Sequence, residues 1–144
     1  MKQVEVAIIG TGWCGGIRAQ TLAQSALVDK LHLCEIREDR LAEVRQLTGA
    51  ATATTDYHDI IRNPAIEVVY ISTTPEGTHY PIARDCLKAA KHVLLEKPIG
   101  LDLSEADHLI DIARQNNVKF TIGYSQRFNP KIAYAKKKIK DGTL

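Results

Sequence analysis

A glycine-rich segment close to the start of the chain has the spacing of a phosphate-binding loop. Gly10, Gly12 and Gly15 form the pattern G-x-G-x-x-G directly after an apolar run. In such loops the first glycine permits a tight turn, the second lets the backbone approach a pyrophosphate, and the third lets helix and strand pack closely. N–H groups at the helix start then face the diphosphate. The predicted dinucleotide-binding loop also includes Thr11, Trp13 and Cys14.

An acidic residue follows this loop at a distance that suits the ribose of a dinucleotide. Glu35 stands twenty residues after Gly15, at the end of a second apolar run. A carboxylate there can accept hydrogen bonds from both ribose hydroxyls and repels a 2′-phosphate, which favours NAD over NADP. Arg37 and Arg40 leave NADP open, because arginines here can grip a 2′-phosphate; they can also stack on the adenine or remain solvated. With Ile36, these residues form the predicted adenosine side of the site.

Lys97 is the candidate for catalysis. It follows the apolar run 93–95, and Pro98 restricts it to an extended conformation, so we expect it to leave a buried strand and enter a crevice. A desolvated lysine there would serve in proton transfer. The alternative is a surface lysine paired with Glu96, and the residue types alone do not decide between the two.

Further polar residues follow other apolar runs, where a parallel sheet would place them at one edge. Ligands of open parallel sheets bind outside the carboxyl ends of the strands. His79 could contact a nicotinamide or substrate there, or could simply cap a helix. The predicted nicotinamide side comprises Thr73, Thr74, Pro75, His79, Glu96, Lys97 and Arg127.

The elements that would position these residues alternate between strand and helix. Apolar runs predict six strands, over 4–9, 31–36, 50–53, 66–72, 92–96 and 118–122. Helical spacing of apolar residues fills the intervals, and Ser104 with Asp107 resembles a capping box. This alternation predicts one α/β domain over 1–144: a Rossmann doubly wound parallel sheet with strand order 3-2-1-4-5-6.

Composition narrows the class of protein. The 144 residues are 44% hydrophobic with a net charge of +2, which suits a single soluble domain and gives no indication of a nucleic-acid partner. No apolar run is long enough to span a membrane, so no membrane association is expected. Three cysteines without metal-like spacing indicate reduced packing residues in a cytoplasmic protein and no metal site.

Taken together, these motifs resemble the glucose–fructose oxidoreductase, inositol dehydrogenase and rhizopine-catabolism (Gfo/Idh/MocA) oxidoreductases. The resemblance rests on the glycine loop, Glu35, Thr74-Pro75 with His79, the run 91–98 ending in Glu-Lys-Pro, and the run 127–130. It implies an NAD- or NADP-dependent dehydrogenase of a sugar, inositol or related polyol, with Lys97 beside nicotinamide and substrate. It also implies a cis Lys97–Pro98 bond.

The resemblance further implies a longer parent protein. Members of this family continue into a second domain that completes the substrate site and usually makes homo-oligomer contacts. We therefore expect this chain to be the cofactor half of such an enzyme, largely inactive alone. Two alternatives stay open: a non-catalytic dinucleotide sensor, and a reductase of another substrate class, such as a biliverdin-reductase relative. The sensor has no need of Lys97 and Arg127.

Overall fold

The computed structural model describes residues 2–143, which form a six-stranded parallel sheet flanked by helices. The strands are β1 (Val4–Ile9), β2 (Val28–Cys34), β3 (Thr52–Thr54), β4 (Ile66–Ile71), β5 (His92–Leu95) and β6 (Phe120–Ile122). The helices are α1 (Trp13–Ala23), α2 (Glu38–Thr48), α3 (Tyr57–Arg62), α4 (His79–Lys88), α5 (Leu103–Gln115) and α6 (Pro130–Lys140). Two short 3₁₀ turns span Glu76–Thr78 and Ser125–Phe128.

The strand order is β3-β2-β1-β4-β5-β6, which confirms the predicted topology. All five neighbouring pairs are parallel. From β1 the chain adds β2 and β3 on one side of the sheet and then returns to add β4, β5 and β6 on the other side. The loops that follow β1 and β4 therefore lead to opposite faces of the sheet, and a crevice opens between them. This crevice lies at the edge where the polar residues were predicted to meet.

The strand ends differ from the predicted ones by a few residues. β2 begins at Val28 rather than 31, because Val28 pairs with Val4 although two polar residues follow it. The strands β2, β4 and β5 stop before the polar residues Glu35, Ser72 and Glu96. These residues are thereby left in the loops that border the crevice.

Two apolar cores lie on opposite faces of the sheet. One is formed by alternate residues of β1, β4 and β5 with α4 and α5, and includes Val69, Leu87, Leu95 and Leu109, all at 0% exposure. The other packs α1 and α2 on β1 and β2. Strands covered on both faces have few polar positions, which explains why their apolar runs are nearly continuous.

The start of α5 corrects one expectation. Asp102, rather than Ser104, caps the helix: its carboxylate accepts from the N–H of Glu105 at 3.0 Å. Glu105 in turn accepts from the N–H of Leu101, the residue before the cap, at 2.7 Å. The helix is therefore capped two residues earlier than predicted, by a pair similar to a capping box in which the glutamate reaches one residue further back. Asp102 precedes the helix and can therefore accept from the Glu105 N–H, whereas Ser104 already lies inside the first turn.

The last helix is the least packed element. No residue of α6 is buried, and Ile132, Tyr134 and Ile139 are largely exposed, as is Phe128 just before it. Among residues 2–143, no helix has both the length and the apolar character that a membrane span requires.

Candidate functional site

The glycine loop joins β1 to α1 with its backbone held tightly against β4. Gly10 has a φ of +88°, and a Cβ there would lie 2.6 Å from the Ser72 carbonyl oxygen. A Cβ on Gly15 would lie 1.9 Å from the Gly10 carbonyl oxygen. Both positions therefore require glycine, as predicted for the turn and the close helix–strand packing.

Gly12 faces open space instead. An added Cβ would meet no atom within 4 Å, so the absence of a side chain here serves no internal packing. The residue caps α1, whose first turn contains no acidic residue. The helix N-terminus is therefore free to receive an anion from the crevice.

Glu35 is nearly buried, at 9% exposure, and is fixed by the loop. Its Oε2 accepts from the Thr11 N–H at 2.8 Å and from the Thr11 hydroxyl at 3.2 Å, while Oε1 accepts from the Arg37 N–H at 3.2 Å. Each carboxylate oxygen has more than one acceptor site, so Oε1 can still receive a hydroxyl from the crevice. Glu35 thus has an internal role that the sequence analysis missed, beside the predicted external one.

The two arginines after Glu35 occupy different positions. Arg37 and Ile36 line the crevice, and Ile36 is 80% exposed. Arg40 instead directs its guanidinium to the back of the glycine loop, where Nε donates to the Thr11 carbonyl at 2.8 Å. Backbone carbonyls engage Arg40, so in this structure it neither lines the crevice nor stays fully solvated.

The crevice has a volume of about 780 Å³ and gathers most of the predicted residues. The predicted residues that line it are Gly10, Gly12, Trp13, Cys14, Glu35, Ile36, Arg37, Thr73, Thr74, His79, Glu96 and Lys97. The predicted residues outside its lining are Thr11, Gly15, Arg40, Pro75 and Arg127. Thr55 and Tyr57 also line the crevice and were not predicted. They follow the carboxyl end of β3, and this position in the sequence could have indicated that they lie at the ligand-binding edge of the sheet.

Lys97 lies at the junction of two crevices. It lines the crevice just described and also a second one of about 880 Å³, together with Arg127, Gln126 and Lys136. The residue is exposed, so the expected desolvation is not present in this chain. The cause is that the crevices open to solvent on this side. The Lys97–Pro98 bond is cis, as the resemblance implied, and so is Thr74–Pro75.

Glu96 is not the ion-pair partner of Lys97. Its carboxylate accepts from the Tyr70 hydroxyl, from Cys14 Sγ at 3.4 Å and from the Lys97 N–H at 3.3 Å. Burial raises the pKa of Glu96, but these hydrogen bonds outweigh it and the net pKa lies below the ordinary value. Burial and the bond to Glu96 raise the pKa of Tyr70. Glu96 is thus an anion held by side chains of α1 and β4 and by the backbone of the loop that follows β5.

His79 is buried, with 1% of its surface exposed, although it borders the crevice. Its Nδ1 lies 2.8 Å from the Pro98 carbonyl oxygen, and its Nε2 lies 3.0 Å from the Thr73 carbonyl oxygen. Both ring nitrogens therefore face backbone of the two loops that contain the predicted nicotinamide-side residues. The ring connects the ends of β4 and β5.

No metal site accompanies these residues. In the described part of the chain, no group of three or more His, Cys, Asp or Glu side chains is arranged to hold an ion. What the site offers is a helix N-terminus for an anion, a fixed carboxylate for hydroxyls, and an ammonium at the far end of the crevice.

Several dehydrogenases are similar to this chain in sequence. The chain is 30% identical to a myo-inositol 2-dehydrogenase of Thermotoga maritima over 98% of its length, and 30% identical to a levoglucosan dehydrogenase of Pseudarthrobacter phenanthrenivorans over its whole length. It spans 42% and 39% of these relatives. A scyllo-inositol 2-dehydrogenase of Bacillus subtilis, also 30% identical, is described as NADP(+)-dependent.

Solved structures show the same fold. The chain superposes with a TM-score of 0.89 on the scyllo-inositol dehydrogenase of Lactobacillus casei with bound NAD(H) and scyllo-inositol, at 29% identity. The match covers 99% of this chain and 42% of that one. Residues 4–124 match the family model described as an oxidoreductase family with an NAD-binding Rossmann fold, GFO_IDH_MocA. The chain therefore belongs to this Gfo/Idh/MocA oxidoreductase family, whose description contains the predicted fold and the predicted cofactor.

Proposed function

We propose that this chain is the cofactor-binding half of an NAD-dependent dehydrogenase that acts on a sugar, inositol or related polyol. The observation that supports this best is the place of Lys97, between the crevice that suits a dinucleotide and the second crevice. A group at that junction can contact a substrate without blocking the cofactor. A dinucleotide sensor has no use for such a residue.

The residues of the first crevice fit a nicotinamide adenine dinucleotide. Open space over Gly12 and the acid-free start of α1 suit the diphosphate, and Glu35 suits the adenine ribose. When bound, the cofactor supplies the carbon that exchanges hydride with a carbinol carbon. We expect NAD to bind more tightly than NADP, because a 2′-phosphate would lie beside the Glu35 carboxylate.

Lys97 would hold the substrate oxygen and exchange its proton with it as the hydride moves. Arg127, in the second crevice, would hold a further substrate oxygen. Because Lys97 is exposed here, we propose that a second domain encloses it, adds a further acid or base, and makes the contacts of a homo-oligomer. We place the protein in the cytoplasm, which is supported by three free cysteines, two of them buried.

The test is Lys97→Met in the protein that results when the reading frame of this chain is expressed in full. Turnover of myo-inositol, scyllo-inositol and levoglucosan should fall by about two orders of magnitude or more, as expected for loss of a positioned proton-transfer group. The dissociation constant for NAD should stay the same. Lys88→Met, at an exposed position of α4, is the matched control. Turnover within a few fold of wild type would refute the role of Lys97.

The isolated chain provides a second test. It should bind NAD in calorimetry, more tightly than NADP, and oxidise these polyols negligibly, since misplacement of reactants costs orders of magnitude in rate. A full-length protein that binds NAD but oxidises no polyol would favour the sensor. A full-length protein that reduces another class of substrate would favour the third alternative.

A further inference from the structure

Gly16, the residue after the G-x-G-x-x-G pattern, makes room for a side chain of another helix. A Cβ on Gly16 would lie 2.3 Å from Nη2 of Arg40 and 3.3 Å from the Thr11 carbonyl oxygen. Gly16 is buried within α1, whereas Arg40 belongs to the first turns of α2. The missing side chain is therefore what lets the guanidinium pass across the start of α1.

The guanidinium holds two successive carbonyl groups of the glycine loop. Nε donates to the Thr11 carbonyl at 2.8 Å, and Nη2 donates to the Gly12 carbonyl at 3.3 Å. Nη1 donates to Glu43 at 2.7 Å, which fixes the third edge of the planar group. Arg40 keeps only 20% side-chain exposure, so these bonds are partly shielded from water.

These contacts fix the orientation of two peptide planes. In a trans peptide the carbonyl and the following N–H point in opposite directions. Arg40 holds the Thr11 and Gly12 carbonyls, so the N–H groups of Gly12 and Trp13 point away from Arg40. Gly12 and Trp13 line the crevice whereas Arg40 does not, so these N–H groups are expected to face the crevice. Glu35 accepts from the Thr11 N–H at 2.8 Å, so the loop is held at three consecutive backbone groups: the Thr11 N–H, the Thr11 carbonyl and the Gly12 carbonyl.

We propose that Arg40 is a positioning residue for the cofactor diphosphate, acting through the peptide planes of the glycine loop and not through a 2′-phosphate. The proposal rests on dinucleotide binding by this chain, the first part of the proposed function. It makes a distinct claim about selectivity: Arg40 supports NAD and NADP equally. A pre-oriented loop binds more tightly because less order is lost on binding.

The test is calorimetric titration of the chain with NAD and with NADP. Arg40→Met should weaken both by a similar factor, about tenfold or more, the scale of a lost charge-assisted hydrogen bond. Gly16→Ala should do the same by displacing the guanidinium. The double variant should be no weaker than the weaker single variant, since both changes remove one interaction. Arg45→Met, on the exposed face of α2, is the control and should bind as wild type.

Amide NMR on the same proteins gives a readout that does not depend on a ligand. The Gly12 and Trp13 N–H resonances should shift in Arg40→Met and stay in place in Arg45→Met. If Arg40→Met does not fold, Arg40→Lys, which keeps the charge but cannot donate in a fork, should weaken both cofactors. Loss of NADP affinity alone, or affinities within twofold of wild type for both cofactors, would overturn the proposal. Failure of the wild-type chain to bind either cofactor would instead refute dinucleotide binding itself.

Discussion

The glycine loop offers a pair of substitutions whose effects should separate folding from binding. Gly15→Ala places a methyl group 1.9 Å from the Gly10 carbonyl oxygen, whereas Gly12→Ala meets nothing within 4 Å. Both changes add the same methyl group to the same loop, three residues apart. We expect Gly15→Ala to destabilise the fold and Gly12→Ala mainly to weaken cofactor binding.

The magnitude for Gly15→Ala follows from the obstacle it meets. A Cβ essentially never approaches another heavy atom within 3.0 Å, so α1 and the loop must separate by roughly 1 Å. Overpacking costs about 1–3 kcal/mol when side chains can adjust. Here the obstacle is backbone, so we expect a loss of at least about 3 kcal/mol in the free energy of unfolding, from a total of about 5–15 kcal/mol.

Gly12→Ala should cost about 1 kcal/mol in the free energy of unfolding, the scale by which glycine exceeds alanine as a helix N-cap. Its methyl group nevertheless occupies the space that a diphosphate would take, so affinity for NAD should fall at least about tenfold. Urea denaturation followed by circular dichroism measures the first quantity, and calorimetry measures the second. The reasoning is refuted if Gly15→Ala unfolds at the wild-type midpoint, or if Gly12→Ala proves the more destabilising of the two.

Three further substitutions test buried polar groups by denaturation. His79→Ala removes a buried ring whose N–H can donate to one of two facing carbonyls and should cost about 2–4 kcal/mol, while the exposed His108→Ala should cost far less; equal losses would contradict this role. Lys91 is 5% exposed and its ammonium donates to two carbonyls, so Lys91→Met should cost about 1–3 kcal/mol, against less than about 0.5 for Lys88→Met. The pKa of Glu96 is lowered in the folded state, so ionised Glu96 stabilises the fold fully above its ordinary pKa of 4.5, and this stabilisation is lost as the pH falls through the folded-state pKa. The difference in unfolding free energy between wild type and Glu96→Gln should therefore disappear in acid. A difference that does not change with pH would count against this.

The fold was predictable because it depends on patterns that short segments contain. Apolar runs, helical spacing and the glycine motif are properties of neighbours in sequence, and with the parallel crossover rule they gave the observed strand order. The strand ends were harder to predict, since the start of β2 depends on the pairing of Val28 with Val4 in a partner strand.

The roles of individual site residues were harder to predict, because they depend on contacts between distant segments. Arg40 and the loop carbonyls it holds are 28 and 29 positions apart. His79 and the Pro98 carbonyl are 19 positions apart. Residue type indicated that both were polar residues near a site. It could not indicate that both contact backbone carbonyls, because every carbonyl of the chain is an acceptor and none is distinguished by sequence.

His79 contacts both the loop after β4 and the loop after β5, which limits how these loops can be exchanged with those of related proteins. If the loop after β4 were replaced, the carbonyl at position 73 would move and the His79 ring would no longer match it. Replacement of the turn at Pro98 would displace the other carbonyl that His79 faces. Neither loop is therefore an independent module. Chimaeras meant to alter cofactor or substrate preference should exchange both loops together with the first turn of α4, as a single unit of three segments.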